Sequence, residues 1–299
     1  PTPSYAQVNI ISNAEHAGYA AGYGLNDTIV YAGHPNNPQQ IIDVCNQANV
    51  CVIRGHAHWL YGGEMLNNPE AAAQVWSNAL AEISAGTTGQ VYFEPWNEPM
   101  RLDLECGNLG LNDCANRVSR FINTLNSLGT HGITLTSPAI DPYHPNTKDM
   151  ISALGDIPYS VISMHIYSPQ MARDYRGVLS ALGVRGASSM QVILTETGAL
   201  DSNGDNNPDE SGTPTYEEKI LCNMYCDDRG GQTTVDFWKS QGINYALFSL
   251  GPDGIPWNLW EAECVIDALQ GNCHCETCEE SGSKKSLAKE MFERDGGQN

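Results

Sequence analysis

Val91-Tyr92-Phe93-Glu94-Pro95-Trp96-Asn97-Glu98-Pro99 opens as an apolar, aromatic run and closes with an indole, an amide and a carboxylate set between two prolines. The first half reads as a strand of a parallel sheet, because β-branched and aromatic side chains suit a pleated element buried on both faces. Pro99 ends the strand and turns Glu98 away from helical backbone. Glu98 is therefore expected where a strand passes into a loop. Glu94 lies one layer deeper on the same run, which makes it the lesser candidate for chemistry.

A second stretch, Gln191-Val192-Ile193-Leu194-Thr195-Glu196-Thr197-Gly198, has the same order: an apolar run, a carboxylate, then a glycine that breaks the strand. Either glutamate by itself reads as an ordinary solvated carboxylate at a strand end. Two of them at the mouths of two buried parallel strands form the pair that glycoside hydrolysis requires. One carboxyl protonates the leaving oxygen, and the other attacks the anomeric carbon or activates water.

Outward from these stretches, further strands are expected at 7–12, 28–33, 50–54, 133–141, 160–168 and 244–250. Helical spacing of apolar residues falls between them. Ile41, Ile42 and Val44 follow Asn37-Pro38; Ala72, Val75, Trp76, Ala79, Leu80 and Ile83 follow Asn68-Pro69; Val118, Phe121, Ile122 and Leu125 lie within 115–128. More helix is expected at 149–154, 175–182, 216–241 and 259–269. Strands alternating with helices specify an α/β fold, and eight such strands a (β/α)8 TIM barrel in a single domain. That catalytic domain is expected over residues 1–272. Beyond it the composition shifts to Cys, Glu, Ser and Lys, which reads as a Cys-containing C-terminal extension over 273–299. On this count Glu98 ends the fourth strand and Glu196 the seventh.

The charge narrows the choice of partner. With 15 Lys and Arg against 35 Asp and Glu, the formal net charge is −20. Nucleic acid and anionic lipid both need a basic surface, so neither is expected as a partner. A polyanionic polysaccharide is disfavoured for the same reason, whereas a neutral one is not. No run is long enough to span a membrane. Ten cysteines fit an exported chain, and the close pairs Cys45/Cys51, Cys106/Cys114 and Cys222/Cys226 are consistent with short-loop disulfides. The chain begins at a proline and shows no signal peptide, so a leader is expected to have been removed or left out of this sequence. Asn26-Asp27-Thr28 is a glycosylation sequon.

Trp96-Asn97-Glu98-Pro99 and Thr195-Glu196 resemble the acid/base and nucleophile motifs of clan A of the glycoside hydrolases, among relatives of the family-five cellulases, mannanases and xylanases. The resemblance implies a retaining enzyme on an eight-fold barrel, with Glu98 as acid/base and Glu196 as nucleophile, and no cofactor for catalysis. It also implies further roles around them. Asn97 would hydrogen-bond the sugar 2-hydroxyl. His165 and Tyr167, alternate residues of strand six and so on one face, would orient the acid/base and hydrogen-bond the nucleophile. A histidine after strand three would touch the sugar, His58 being the choice and His56 its rival, and Arg54 would stand close to the nucleophile. Trp96 would belong to the substrate site. The clan often carries a Trp-Ser element on strand eight; Leu247-Phe248-Ser249-Leu250 stands there instead, so Phe248, or Trp257 from the loop beyond, would floor the site. Trp59, Tyr61, Tyr143 and Trp260 also fall in segments at the loop face, where aromatic rings stack on sugars.

Asp201, Asn203, Asp205, Asn207 and Asp209 place oxygen ligands at every second position after strand seven, as in calcium loops. The segment reads as a structural calcium site, with a solvated polar loop as the alternative. The sequence thus describes a secreted, monomeric β-glycosidase, endo-acting on a neutral β-glucan, mannan or xylan. The rivals are a carbohydrate-binding barrel without activity, and a metal-dependent hydrolase built on His56, His58 and His165.

Overall fold

A computed structural model describes residues 8–10, 27–58, 60–166, 173–197 and 234–250. Eight parallel strands form one sheet: β1 Val8–Ile10, β2 Thr28–Ala32, β3 Val50–Arg54, β4 Gln90–Glu94, β5 Thr134–Leu135, β6 Val161–Ile166, β7 Gln191–Thr197 and β8 Asn244–Leu250. Their order is β5-β4-β3-β2-β1-β8-β7-β6. The segment that follows β5 makes isolated parallel bridges to β6, at Thr136↔Val161 and Ile140↔Met164.

Each strand lies within a segment expected from the sequence, except that β4 begins one residue earlier, at Gln90, and β5 is the shortest relative to its expectation. Residues 133–141 contain Pro138, which has no N–H to give to a ladder. The chain there pairs through scattered bonds instead: Thr136 N donates to Phe93 O of β4, while Ser137 N and Ile140 N donate to Val161 O and Ser163 O of β6. Helices alternate with the strands, at Pro38–Cys45, Pro69–Gly86, Leu111–Leu128, Thr147–Leu154, Tyr175–Ala181 and Thr234–Ser240. Short helices at Gly62–Asn67 and Leu102–Glu105, not foreseen, follow β3 and β4. The expected helix at 259–269 and most of that at 216–241 lie outside the described residues.

The core has two compartments. Outward-facing residues such as Ile53, Phe93, Ile162 and Leu194 join helical Trp76, Leu80, Val118, Phe121 and Leu125 in a large buried cluster. On the inner face a small cluster of Val30, Val52, Tyr92, Val161, Ile193 and Ala246 packs by itself. Because side chains alternate along a strand, the next inner positions are Arg54, Glu94, Ser163 and Thr195. All four are buried and polar. One layer further along β6 comes His165. The register between β6 and β7 then slips: Met164 pairs with Leu194 but His165 with Glu196. Thr195 is the extra residue of this bulge, a device that re-aims a side chain at a strand end. It sets Glu196 beside His165.

Two disulfides close short loops, Cys45–Cys51 and Cys106–Cys114. Cys222, Cys226 and the cysteines of 264–278 lie outside the described residues. No helix among the described residues is long and apolar enough to cross a membrane.

Candidate active site

Glu98 sits four residues beyond the last residue of β4, at the carboxyl end of the sheet. Its backbone is held at φ +30°, a conformation a non-glycine residue seldom takes. Pro99 disfavours the helical alternative, and Arg101 N donates to Glu98 O at 2.9 Å to close the turn. Glu196 ends β7 at the same rim. One oxygen of Glu98, one of Glu196 and one ring nitrogen of His165 all lie within 4.8 Å of one another. Both carboxylates are buried.

His165 stands between them. Its Nδ1 is 2.7 Å from Glu98 Oε1 and 3.5 Å from Glu196 Oε2. On the ring's other side, Arg54 Nη2 lies 3.1 Å from His165 Nε2. A guanidinium can only donate, so Nε2 accepts and the ring proton is assigned to Nδ1, where it is given to Glu98. Burial alone would lower the pKa of His165; the Glu196 and Glu98 carboxylates outweigh it and raise the value, against the charge of Arg54.

Arg54 is the hub beneath the pair. Its Nη1 donates to Glu196 Oε1, and its Nε donates to Glu94 Oε1 at 2.5 Å. Burial would strip its proton, but the Glu94 and Glu196 charges hold the guanidinium protonated. Glu94 Oε2 accepts from Ser163 Oγ at 2.5 Å, and Ser163 Oγ is 2.7 Å from Thr195 Oγ1. Glu94 is therefore committed to this inner layer, as its depth on β4 foretold.

Glu98 Oε2 faces a second guanidinium, Arg101 Nε at 2.9 Å. Arg101 Nη2 in turn donates to Asp141 Oδ2 at 2.9 Å. Burial raises the pKa of Glu98 and the Glu196 charge adds to it, while His165 and Arg101 pull the other way without cancelling the rise.

A separate cluster forms on the far side of Asn97. Asn97 Nδ2 donates to Glu105 Oε1 at 2.8 Å; its Oδ1 is buried and has no partner among the described residues. Glu105 Oε2 lies 3.0 Å from His56 Nδ1, and its Oε1 lies 3.4 Å from His58 Nδ1. Burial pushes the Glu105 carboxyl up, but hydrogen bonds from His56 and Asn97 outweigh it and hold the pKa below the ordinary carboxylate range. His56 is wholly buried, which lowers its pKa. Gly62 permits that burial: a Cβ there would come within 2.7 Å of His56 Nε2.

The expected site residues thus divide. Glu98, Glu196, His165 and Arg54 come together. Asn97 adjoins them, and His58 is the exposed member of its histidine pair. Trp96 goes elsewhere: it is wholly buried, stacked on His56 with ring centroids 4.0 Å apart and set edge-on to Phe121. The turn after β4 points the indole back into the helical layer, so it backs the site and offers no face to a sugar. Phe248 lies on β8, its side chain outside what is described. Tyr167, Trp59, Trp257, Trp260 and the oxygen-rich loop Asp201, Asn203, Asp205, Asn207 and Asp209 lie outside the described residues. Unforeseen participants are Arg101, Glu105, Asp141, Ser163 and Thr195. The one available signal was position: Ser163 and Thr195 lie on inner strand faces, and Arg101, Glu105 and Asp141 in the segments that follow β4 and β5.

Among the described residues, Glu98, His165 and Glu196 are the one group of His, Cys, Asp or Glu whose donor atoms could meet on one ion. The donor chemistry is unsuited to it. A metal on His165 Nδ1 would require a proton on Nε2, where Arg54 already donates. His56 and His58 are engaged by Glu105 and form no set with His165.

No family model matches the chain, and no curated protein does. Solved structures do. A GH128 (subgroup I) endo-β-1,3-glucanase from Amycolatopsis mediterranei, in complex with laminaritriose, superposes with a TM-score of 0.52 at 15% identity, over 90% of this chain and 99% of that one. A variant of that enzyme with laminarihexaose gives 0.51 at 15%, over 89% and 98%. A GH26 β-mannanase from Bacteroides ovatus gives 0.50 at 12%, over 82% and 80%. The chain has the fold of these glycoside hydrolases.

Proposed function

We propose that this protein is a retaining β-glycosidase, endo-acting on a neutral β-linked polysaccharide, with Glu196 as nucleophile and Glu98 as acid/base on a closed (β/α)8 barrel. The observation that carries the reading is the meeting of Glu98 and Glu196 across His165, with oxygens within 4.8 Å. Retaining pairs stand about 5–5.5 Å apart, whereas inverting pairs leave about 6.5–9.5 Å for a water. The bridges between the β5 segment and β6 support closure of the barrel, and the shared fold with a β-1,3-glucanase and a β-mannanase supports the substrate class.

The chemistry follows from the contacts. Arg54 stabilises the ionised form of Glu196 and fixes its orientation. Glu196 attacks the anomeric carbon as the bond to the leaving oxygen breaks, and Glu98 gives that oxygen its proton. Esterification of Glu196 removes the one charge that had added to the effect of burial on Glu98, so the pKa of Glu98 falls. Glu98 next takes a proton from water as the water attacks the anomeric carbon and releases Glu196. Asn97 Oδ1, buried without a partner, accepts from a sugar hydroxyl, a bond that strengthens toward the transition state. The residues named suffice for these steps without a cofactor. The two disulfides among the described residues and the net charge of −20 suit a secreted protein acting on an uncharged glycan.

The test is release of reducing sugar from laminarin, mixed-linkage glucan, mannan and xylan. Hydrolysis of one of them supports the reading. Binding without hydrolysis across the panel would favour the inactive carbohydrate-binding barrel. Hydrolysis abolished by a chelator would favour metal-dependent chemistry.

A further inference from the structure

Arg101 belongs to no strand, yet it touches the carboxyl at the centre of the site. The turn closed by Arg101 N on Glu98 O brings its side chain back over its own neighbour three residues earlier, so that Nε meets Glu98 Oε2 at 2.9 Å. The other arm of the fork reaches Asp141 Oδ2, also at 2.9 Å. Asp141 is itself fixed. Its side chain is buried, its Oδ1 accepts from Tyr143 N at 2.9 Å, and its carbonyl accepts from Thr147 Oγ1 at 2.5 Å. The guanidinium is partly exposed, with 26% of its side-chain surface accessible, so it can shift toward solvent while still docked on Asp141.

We propose that Arg101, tethered by Asp141, is a positioning residue that holds Glu98 Oε2 in place and yields that oxygen to the leaving group when substrate binds. Both oxygens of Glu98 face a partner: Oε1 is hydrogen-bonded to His165, and Oε2 is held by the charge of Arg101 as an ion pair. Proton donation to a glycosidic oxygen requires one of them to be released. His165 is locked between Arg54 and the two glutamates, whereas Arg101 keeps a second carboxylate on which to remain. When Glu98 has lost its proton, Arg101 returns to Oε2 and stabilises the carboxylate that acts as base. The inference rests on the acid/base role given to Glu98 above.

The groups facing Glu98 are His165 from β6, Glu196 from β7 and Arg101 from its own turn, with Arg54 of β3 behind His165 and Asp141 behind Arg101. Loss of the Arg101 charge should therefore raise the pKa of Glu98, and loss of the Asp141 charge should lower it. The experiment follows the Glu98 side-chain carboxyl carbon by NMR in glutamate-labelled protein, assigned by disappearance of its signal in Glu98→Gln, alongside the pH profile of kcat/KM. In Arg101→Gln the titration and the alkaline limb are expected to move up together by about one unit, the effect of one opposite charge at contact distance. Arg101→Lys is expected to restore most of the wild-type position. Asp141→Asn, which keeps an acceptor for Nη2, is expected to move both down. A titration unchanged in Arg101→Gln, or one displaced in the same direction by both variants, would overturn the proposal. The titration is read without turnover, so an inactive wild-type protein would count against the glycosidase reading alone.

Discussion

His165 Nδ1 lies 2.7 Å from Glu98 Oε1, across the rim that joins the ends of β4 and β6. The same ring accepts from Arg54 on its opposite nitrogen, so its tautomer and orientation are set by a residue of a third strand. His165→Asn should therefore leave the fold intact and disturb both carboxylates. The expected result is a fall in kcat/KM on the order of 10²-fold, the range for loss of precise placement of a general acid. Steady-state kinetics with circular dichroism of the same samples checks it.

The raised pKa of Glu98 gives a pH dependence with a definite sign. The carboxyl must be protonated to act as acid, so kcat/KM should fall as pH rises through a value above the ordinary 4.5. Glu98→Ala should remove that limb for an aryl glycoside whose leaving group needs no proton. With such a substrate the variant should accumulate the glycosyl-enzyme, which azide releases as the β-glycosyl azide. Rate–pH profiles and product analysis test both statements.

Glu105 joins Asn97, His56 and His58, and its removal should cost stability as well as activity. Glu105→Ala leaves buried donors of Asn97 and His56 without an acceptor, at about 3 kcal/mol. Because the folded pKa of Glu105 is depressed, its contribution is present above the ordinary value of 4.5 and is lost as pH falls through the folded one. The gap in unfolding free energy between wild type and Glu105→Gln should thus narrow on acidification. Urea titrations at neutral pH and near pH 3 measure it.

The Cys106–Cys114 bond closes a loop of sequence separation 8 that begins at the residue next to Glu105. Chain entropy alone assigns such a loop about 2.5 kcal/mol. The paired substitution to serine should lower Tm accordingly and raise KM, since Asn97 loses the firm footing of Glu105. A Tm fall with unaltered kinetics would separate the loop's structural part from its part in the site.

The two glutamates were legible because each follows an uninterrupted apolar run and precedes a residue that breaks it. The eight strands were legible for a similar reason, the two-sided burial of parallel strands. Arg54, Glu94, Ser163 and Thr195 form a buried polar layer whose purpose shows only when four strands are adjacent, since no one of their sequences explains a charge on the inner face. Arg101 and Asp141 lie on different loops, and nothing local says that they meet. Trp96, expected at the substrate site, is buried against His56 and Phe121, and nothing local in the sequence says so. Thr195 is a further case: strict alternation would set Glu196 one step from where the bulge brings it.

The central claim is that Glu196 forms a covalent bond to the sugar, so that two displacements restore the starting configuration. Proton NMR of the first reducing ends released from a hydrolysed β-glycan, recorded before mutarotation, reads this directly. The account predicts that the β-anomer appears first and the α-anomer grows in later; α-anomer at the earliest time points would contradict it.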